Sequence, residues 1–451
     1  MSKIKNHLSA FMPLYVFLTA YLVTTVLGNV LYETPIGRHW PAIVITDFDW
    51  RQFETNFGVG YWSLLLVPFV VVPAIALLTR YIASPLVRRT AWVIPDIATP
   101  IYLIFTSALF GIVIYKLGAA SALKQFLSTS SSADAAVEAR FAIRDALGTW
   151  PRIAVSSLLI FLSVYSGVRS SRDGGYWTVI LAFNTIALTG CLLLLSMKWP
   201  LVLFYITMAL QYFVVDKTGG SIAKALAILL AAALSYILIA VILMRLAPTD
   251  VEAVSRPTSS APSRSNTAAE TIRAALDYSP RLAMGIVNRM AMPVPFYWDY
   301  FSRNPKSCGT LFDSVFTRNP NLCQPSTLIY ARMYPHDGFA GRGTAPAAFH
   351  IYEYARAGWA GTALALALGG VLIGFFLTLW PVADRNPVVL SAFIMGGPTA
   401  YHMSQIPLEG VVFYDNGLWW GLSIVAWITA FWLYKMFRSP PHDTTAQSPT
   451  I

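Results

Sequence analysis

The sequence predicts an all-α polytopic membrane protein, a bundle of about ten spanning helices with one large polar loop late in the chain. Three observations predict it. Only 12% of the 451 residues are charged while 56% are hydrophobic; soluble domains carry about 25% charged residues, so these charges are too few to cover a surface in water. Apolar stretches near the ~20 residues needed to cross a bilayer recur along the chain, and lipid admits backbone only as helices or closed barrels. Lys and Arg sort into alternate short loops, as the insertion rule requires.

The spans read as 10–31, 60–79, 97–117, 153–168, 177–196, 200–215, 223–244, 358–380, 388–406 and 417–436. The fifth and sixth are expected to form a tight hairpin around Lys198-Trp199-Pro200. Lys3 and Lys5 precede the first span, and Arg80, Arg88 and Arg89 follow the second. Arg169 and Arg172 follow the fourth, Lys217 and Lys224 the sixth, Arg385 the eighth, Lys435 and Arg438 the tenth. With ten spans these all fall on one side, which places both termini in the cytoplasm; Lys198 is the exception. Residues 33–58, 118–152, the large loop and 407–416 then face outward. No cleavable signal peptide is expected, because the first apolar stretch is long enough to span and lacks a small-residue cleavage site. The net charge of +10 has the same origin as the loop bias. No basic stretch looks like a groove-reading element, so nucleic acid is not an expected partner.

The chain therefore divides into spans one to seven within 1–247, an extracytoplasmic loop at 248–356, spans eight to ten within 357–438 and a polar tail at 439–451, expected to be disordered. In the loop, 249–269 is rich in Ser, Thr, Pro and Ala and reads as a flexible linker. From residue 270 the pattern turns helical: Ile272, Ala275, Leu276, Leu282 and Ile286 recur at three- and four-residue spacing, interrupted by Pro280. Such a helix lies on the membrane surface or packs against the bundle. Cys191, in an apolar span, reads as a small core residue. Cys308 and Cys323, with fourteen residues between them, are expected to form a disulfide if the loop faces an oxidising compartment, and to be free thiols otherwise.

Residues 270–356 are where chemistry is expected. Arg289 precedes Phe296-Tyr297-Trp298-Asp299-Tyr300-Phe301, five aromatics around one carboxylate. Aromatic faces suit the apolar C–H face of sugar rings, although an interfacial aromatic belt has the same composition. Arg332 and Arg342 follow, the latter between Gly341 and Gly343. Arg289, Arg332 and Arg342 are candidates for clamping a diphosphate, since a guanidinium grips phosphate oxygens with a planar fork; solvated or headgroup-bound arginines are the plainer alternative. His350, Glu353 and Tyr354 share one helix face if the next helix has already begun, and a His/Glu pair there offers a general base with its orienting partner. His336 and Asp337 show no ligand spacing with that pair, so no metal is expected. Asp47 and Asp49, in the first outward segment, form a weak acidic pair, and His402 is an intramembrane histidine with either a functional role or a hydrogen bond to a neighbouring helix.

At these clusters the chain resembles the bacterial oligosaccharide repeat-unit polymerases, the Wzy-type O-antigen and exopolysaccharide polymerases. Members show an Arg shortly before a Val-Pro and then a "YYdYF" run; here stand Arg289, Val294-Pro295 and Tyr297-Trp298-Asp299-Tyr300-Phe301. They then carry a small-residue stretch and a Tyr with "nFGwxG"; here stand Thr344-Ala345-Pro346 and Tyr354-Ala355-Arg356-Ala357-Gly358-Trp359-Ala360-Gly361. Arg356 occupies a position where Asn is common, and Lys217 stands in a Gly-rich turn where members often have Arg. The resemblance implies an architecture like that of multi-span lipid-dependent glycosyltransferases, without cofactor or metal. It implies undecaprenyl diphosphate-linked oligosaccharide units as substrate, joined at the periplasmic face of the inner membrane into O-antigen, capsule or exopolysaccharide. A chain-length regulator and a flippase are the implied protein partners. Glu353, His350 and Asp299, in that order, are the candidate bases; Arg289, Arg332 and Arg342 would hold the diphosphate, and Tyr297, Trp298, Tyr300 and Tyr354 the saccharide. Three alternatives stay open: a transferase using polyprenyl-phosphate sugars, with Asp47, Asp49 and a divalent metal; an O-antigen ligase; and, outside enzymes, a polysaccharide transporter or flippase.

Overall fold

The computed structural model describes residues 2–34, 57–90, 96–119, 145–194, 198–215, 223, 225–228, 230, 290–304, 308, 324–334, 343–414 and 416–438. Every regular element among them is helical. The amino-terminal part comprises α1 (Ser2–Ala10), α2 (Met12–Tyr21) and α3 (Leu27–Tyr32), α4 (Val59–Leu66) and α5 (Pro68–Thr90), and α6 (Thr99–Ala119). Then come α7 (Thr149–Ile153), α8 (Leu159–Asp173), α9 (Tyr176–Leu194) and α10 (Lys198–Val215). The carboxy-terminal part comprises α11 (Pro293–Arg303), α12 (Pro325–Met333), α13 (Phe349–Ala383), α14 (Pro387–Met403), α15 (Leu408–Phe413) and α16 (Trp420–Arg438).

Among the described residues, five stretches are long and apolar enough to cross a membrane: Met12–Tyr32, Val59–Arg89, Thr99–Leu117, Thr149–Asp173 and Phe349–Ala383. Shorter apolar helices cover Tyr176–Leu192, Pro200–Val215 and Trp420–Leu433. Large apolar side chains such as Leu78, Ile104, Ile186 and Val425 stay exposed on these helices, which suits contact with lipid rather than water. The protein is thus a helical membrane protein. The expected seventh span, 223–244, falls mostly outside the described residues, as do the linker 249–269, the helical pattern at 270–286 and the tail from 439. The connection of the hairpin expected around Lys198-Trp199-Pro200, residues 195–197, lies outside the described residues, and Lys198 already opens α10. Proline is accommodated there because first-turn N–H groups have no intrahelical partner.

Among the described residues, two spans contain a single π-turn, at Leu22–Val26 and at Ala154–Leu158. Such turns shift the side chains that follow. One turn beyond the first, buried Asn29 donates to Thr25 O (2.8 Å) and Ala291 O (3.2 Å) and accepts from Tyr61 Oη. Within the second, Ser157 donates to Gly417 O at 2.8 Å and accepts from Trp420 N at 3.1 Å. Both turns therefore tie a span to the carboxy-terminal half.

The helix ends sort into two groups. At one end Trp62 reaches Glu33 (3.3 Å) and Trp150 meets Trp419 (5.8 Å), beside the Asn29 and Ser157 contacts. At the other, Arg169 pairs with Asp96 and Asp173, Tyr165 donates to Asp96 at 2.7 Å, and Arg172 donates to Ala383 O at 3.1 Å. The Arg80 guanidinium covers the Phe11 ring there at 4.5 Å.

The element that builds the site is α13. Its 35 residues would measure about 52 Å if straight, well beyond the ~30 Å hydrocarbon core. It is not straight. Ala357 (φ −137°, ψ 17°) and Gly358 (φ 61°, ψ −146°) break it, and the short arm folds back along the long one. Thr362 Oγ1 donates to His350 O at 3.3 Å, and a Cβ built on Gly369 would lie 2.7 Å from the Phe349 ring. In an unbroken helix residues 349 and 369 would stand about 30 Å apart. The expected start of span eight, residue 358, coincides with this break.

Two glycines permit the turn for different reasons. Gly358 has open space around its Cα, so Gly358→Ala meets only backbone strain, about 1–3 kcal/mol. A Cβ on Gly361 would lie 2.3 Å from Glu353 O, a backbone atom of the facing arm. Gly361→Ala is therefore expected to lower thermal stability in detergent more than Gly358→Ala. The opposite ranking would remove the fold-back from the account.

Candidate functional site

The chain enters the short arm through Gly343–Ala348, a non-helical stretch whose small side chains let backbone thread the core. Ala345, Ala347 and Ala348 are buried. Backbone polar groups buried in this way need partners, and Ala345 has both: its N–H donates to Ser326 O at 3.0 Å and its carbonyl accepts from Tyr297 Oη at 3.1 Å. Tyr297 comes from α11, Ser326 from α12. The two sequence clusters are thereby assembled into one body.

The aromatic run divides by helix face. Tyr297 is fully buried (0% exposed) and packs edge-on against Tyr352 at 5.7 Å. Burial lifts its phenol well above the usual range, so it stays a neutral donor. It is a strut and presents no face to a ligand, which corrects its assignment to saccharide binding. Trp298 stacks on Tyr354 at 5.3 Å and 18°, and Tyr354 meets the exposed Trp359 edge-on at 5.8 Å. A Cβ on Gly60 would lie 2.8 Å from the Trp298 ring, so the indole rests directly on the α4 backbone. Tyr300 is partly exposed and carries the Arg332 guanidinium over its ring at 4.1 Å. Arg289 and Arg342 lie outside the described residues, as do Asp47, Asp49, His336, Asp337 and Cys323. Cys308 is buried and disulfide-bonded, while Cys191 is free and buried.

The candidate bases are placed apart. Asp299 forms an i,i+4 pair with Arg303 at 2.7 Å, beside solvent. His350 is fully buried; its Nε2 lies 3.2 Å from Leu64 O and 3.3 Å from Tyr21 Oη. It joins the short arm to α2 and α4. His350 and Glu353 are not a dyad, although they lie one helical turn apart, because each is held by a different neighbour. His402 is buried and bonds the backbone of Asn416, in the turn before α16 rather than on a neighbouring helix.

Glu353 belongs to a buried charge cluster. Arg356, at the tip of the short arm, donates through Nη1 to Glu353 Oε1 at 2.8 Å and through Nη2 to Glu409 Oε1 at 2.7 Å. All three side chains are only 6% exposed. Two carboxylates face one guanidinium, a formal charge of −1. Arg356 Nε and Glu409 Oε2 are buried without a hydrogen-bond partner among the described residues. Tyr414 completes the wall: a Cβ on Gly410 would lie 2.9 Å from its ring. Burial, and then the Glu409 carboxylate, push its phenol up.

Arg356 and Glu409 were absent from the expected site. The signal for them was weak, since both read as loop residues outside the spans, where charge is ordinary. Glu409 is an isolated acid between two apolar stretches, and Arg356 directly precedes one. Among the described residues no three His, Cys, Asp or Glu side chains converge as metal ligands. Comparison with models of known families, with curated proteins and with solved structures finds no match for this chain.

Proposed function

We propose that this protein polymerises undecaprenyl diphosphate-linked oligosaccharide units at the periplasmic face of a bacterial inner membrane, within a ten-span bundle whose termini are cytoplasmic. The carrying observation is that Trp298, from the first cluster, stacks on Tyr354, from the second, one residue from the buried Glu353. A ring platform beside buried carboxylates suits glycan transfer: the rings bind the apolar face of a sugar, and a carboxylate activates the attacking hydroxyl. The grouping of helix ends agrees with this orientation, because the Arg169 and Arg172 end is the one rich in short-loop cations. Arg332, held over Tyr300, is the described arginine best set to meet a diphosphate, with Arg289 and Arg342 as its expected companions.

One observation favours a second reading, a transporter. Buried ionisable residues beside a broken helix are common at transport sites. Vesicles separate the two: a transporter moves substrate without changing glycan length. The direct test of the polymerase is a deletion strain analysed by gel. Its surface lipid is expected to carry one repeat unit, and Arg289→Ala and Arg342→Ala are expected to reproduce that phenotype. Substitutions in 259–265 are expected to leave a full ladder. Loss of all surface glycan, or normal ladders from both arginine variants at normal protein levels, sinks the reading.

A further inference from the structure

We propose that Arg356 and Glu409 together form the seat of the attacking hydroxyl, with Glu409 taking its proton. The inference rests on the polymerase reading and names where its acceptor binds. The guanidinium is a planar fork whose Nε and Nη2 lie on one edge, and a carboxylate on that edge normally takes both nitrogens in parallel bonds. Glu409 takes only Nη2, through Oε1. Nε therefore keeps one unmatched N–H and Glu409 one unmatched oxygen, Oε2, both buried. Leaving such groups unmatched is unfavourable.

Complementarity narrows the ligand. A phosphate oxygen only accepts, and two carboxylates repel it. An ammonium group only donates, which leaves Nε–H unmatched. A hydroxyl does both: it accepts from Nε and donates to Oε2. Tyr354, on which Trp298 stacks, lies on the same short arm two residues before Arg356, and the stack offers a sugar ring an aromatic face. Glu353 holds the other side of the guanidinium, through Nη1, and acts as a positioning residue.

The step balances. The acceptor oxygen bonds to the anomeric carbon of the donor glycan. The bond from that carbon to the diphosphate oxygen breaks, and its electron pair leaves with the lipid diphosphate. The hydroxyl proton passes to Glu409 Oε2.

The test is elongation of a lipid diphosphate-linked oligosaccharide by the full-length protein in proteoliposomes. If the wild-type protein does not elongate it, the polymerase reading itself fails. Given elongation, Glu409→Gln keeps an oxygen for Nη2 but replaces the proton acceptor; kcat is expected to fall at least about 100-fold while KM for the donor lipid stays within about threefold. If Glu409→Gln does not fold, Glu409→Asp, which withdraws the carboxylate by one methylene, is expected to lose about 100-fold in kcat with the same unchanged KM. A kcat within threefold of wild type in either folded variant overturns the proposal, the seat then holding water only, and leaves the polymerase reading standing.

Discussion

Arg356→Met is expected to yield a protein that fails to accumulate, or that unfolds far below the wild type in detergent. The substitution keeps an unbranched apolar stem and removes the guanidinium with its charge. Glu353 and Glu409, each 6% exposed, are then buried with no counter-charge. Removing one partner of a buried ion pair costs about 3–5 kcal/mol, comparable to the stability of many whole domains. The informative companion is Arg356→Met combined with Glu353→Gln and Glu409→Gln. Neutralising the whole cluster leaves no uncompensated buried charge, which is the source of that cost. The triple variant should therefore recover most of the lost thermal stability while remaining unable to elongate glycan. Recovery of fold without activity assigns the cluster to function. If the triple variant unfolds as readily as Arg356→Met, the charges serve the fold and the site assignment loses its base.

Gly374→Leu is the second large effect expected. The long arm of α13 packs against α5 through glycines spaced four apart. A Cβ on Gly370 would lie 2.7 Å from Ile75 Cβ, and one on Gly374 would lie 2.6 Å from Ala76 O and 2.5 Å from Thr79 Cβ. Small residues at this spacing let two backbones approach in lipid, where van der Waals packing replaces hydrophobic burial as the driving force. The obstacle at Gly374 includes a backbone carbonyl, which no rotamer change moves aside. A leucine there must separate the helices, and overpacking of this kind costs about 1–3 kcal/mol or more. Tight α13–α5 contact also supports the fold-back that presents Arg356, so activity should fall along with thermal stability. Gly421, with open space around it, is the control: Gly421→Ala should leave both near wild type. Equal effects from the two substitutions would show that α13 and α5 do not pack as described.

Much of the fold was legible in residue types alone. Few charges and repeated apolar stretches specified a helical bundle in lipid. Both clusters stood out by residue type, and the fold sets Trp298, from the first, on Tyr354, from the second. What failed was the division of labour within those motifs. Tyr297 and His350 read as ligand-facing groups, but helix rotation turns both into the core. The break at Ala357 and Gly358 was visible only as a boundary, because residues on either side of it keep helical character whether the helix runs straight or doubles back. Glu409 read as one more residue of a short outward loop.

Partition into lipid depends on transfer free energies that accumulate residue by residue along a stretch, without reference to partners. That is why the sequence by itself determined a membrane-embedded helical chain and the regions where its polar residues gather. The tertiary structure alone decided that Arg356 lies between Glu353 and Glu409, whose separation in sequence spans a helix reversal and two further helices. A charge pair's energy depends on distance and on the water excluded around it, and neither quantity exists until those helices are packed.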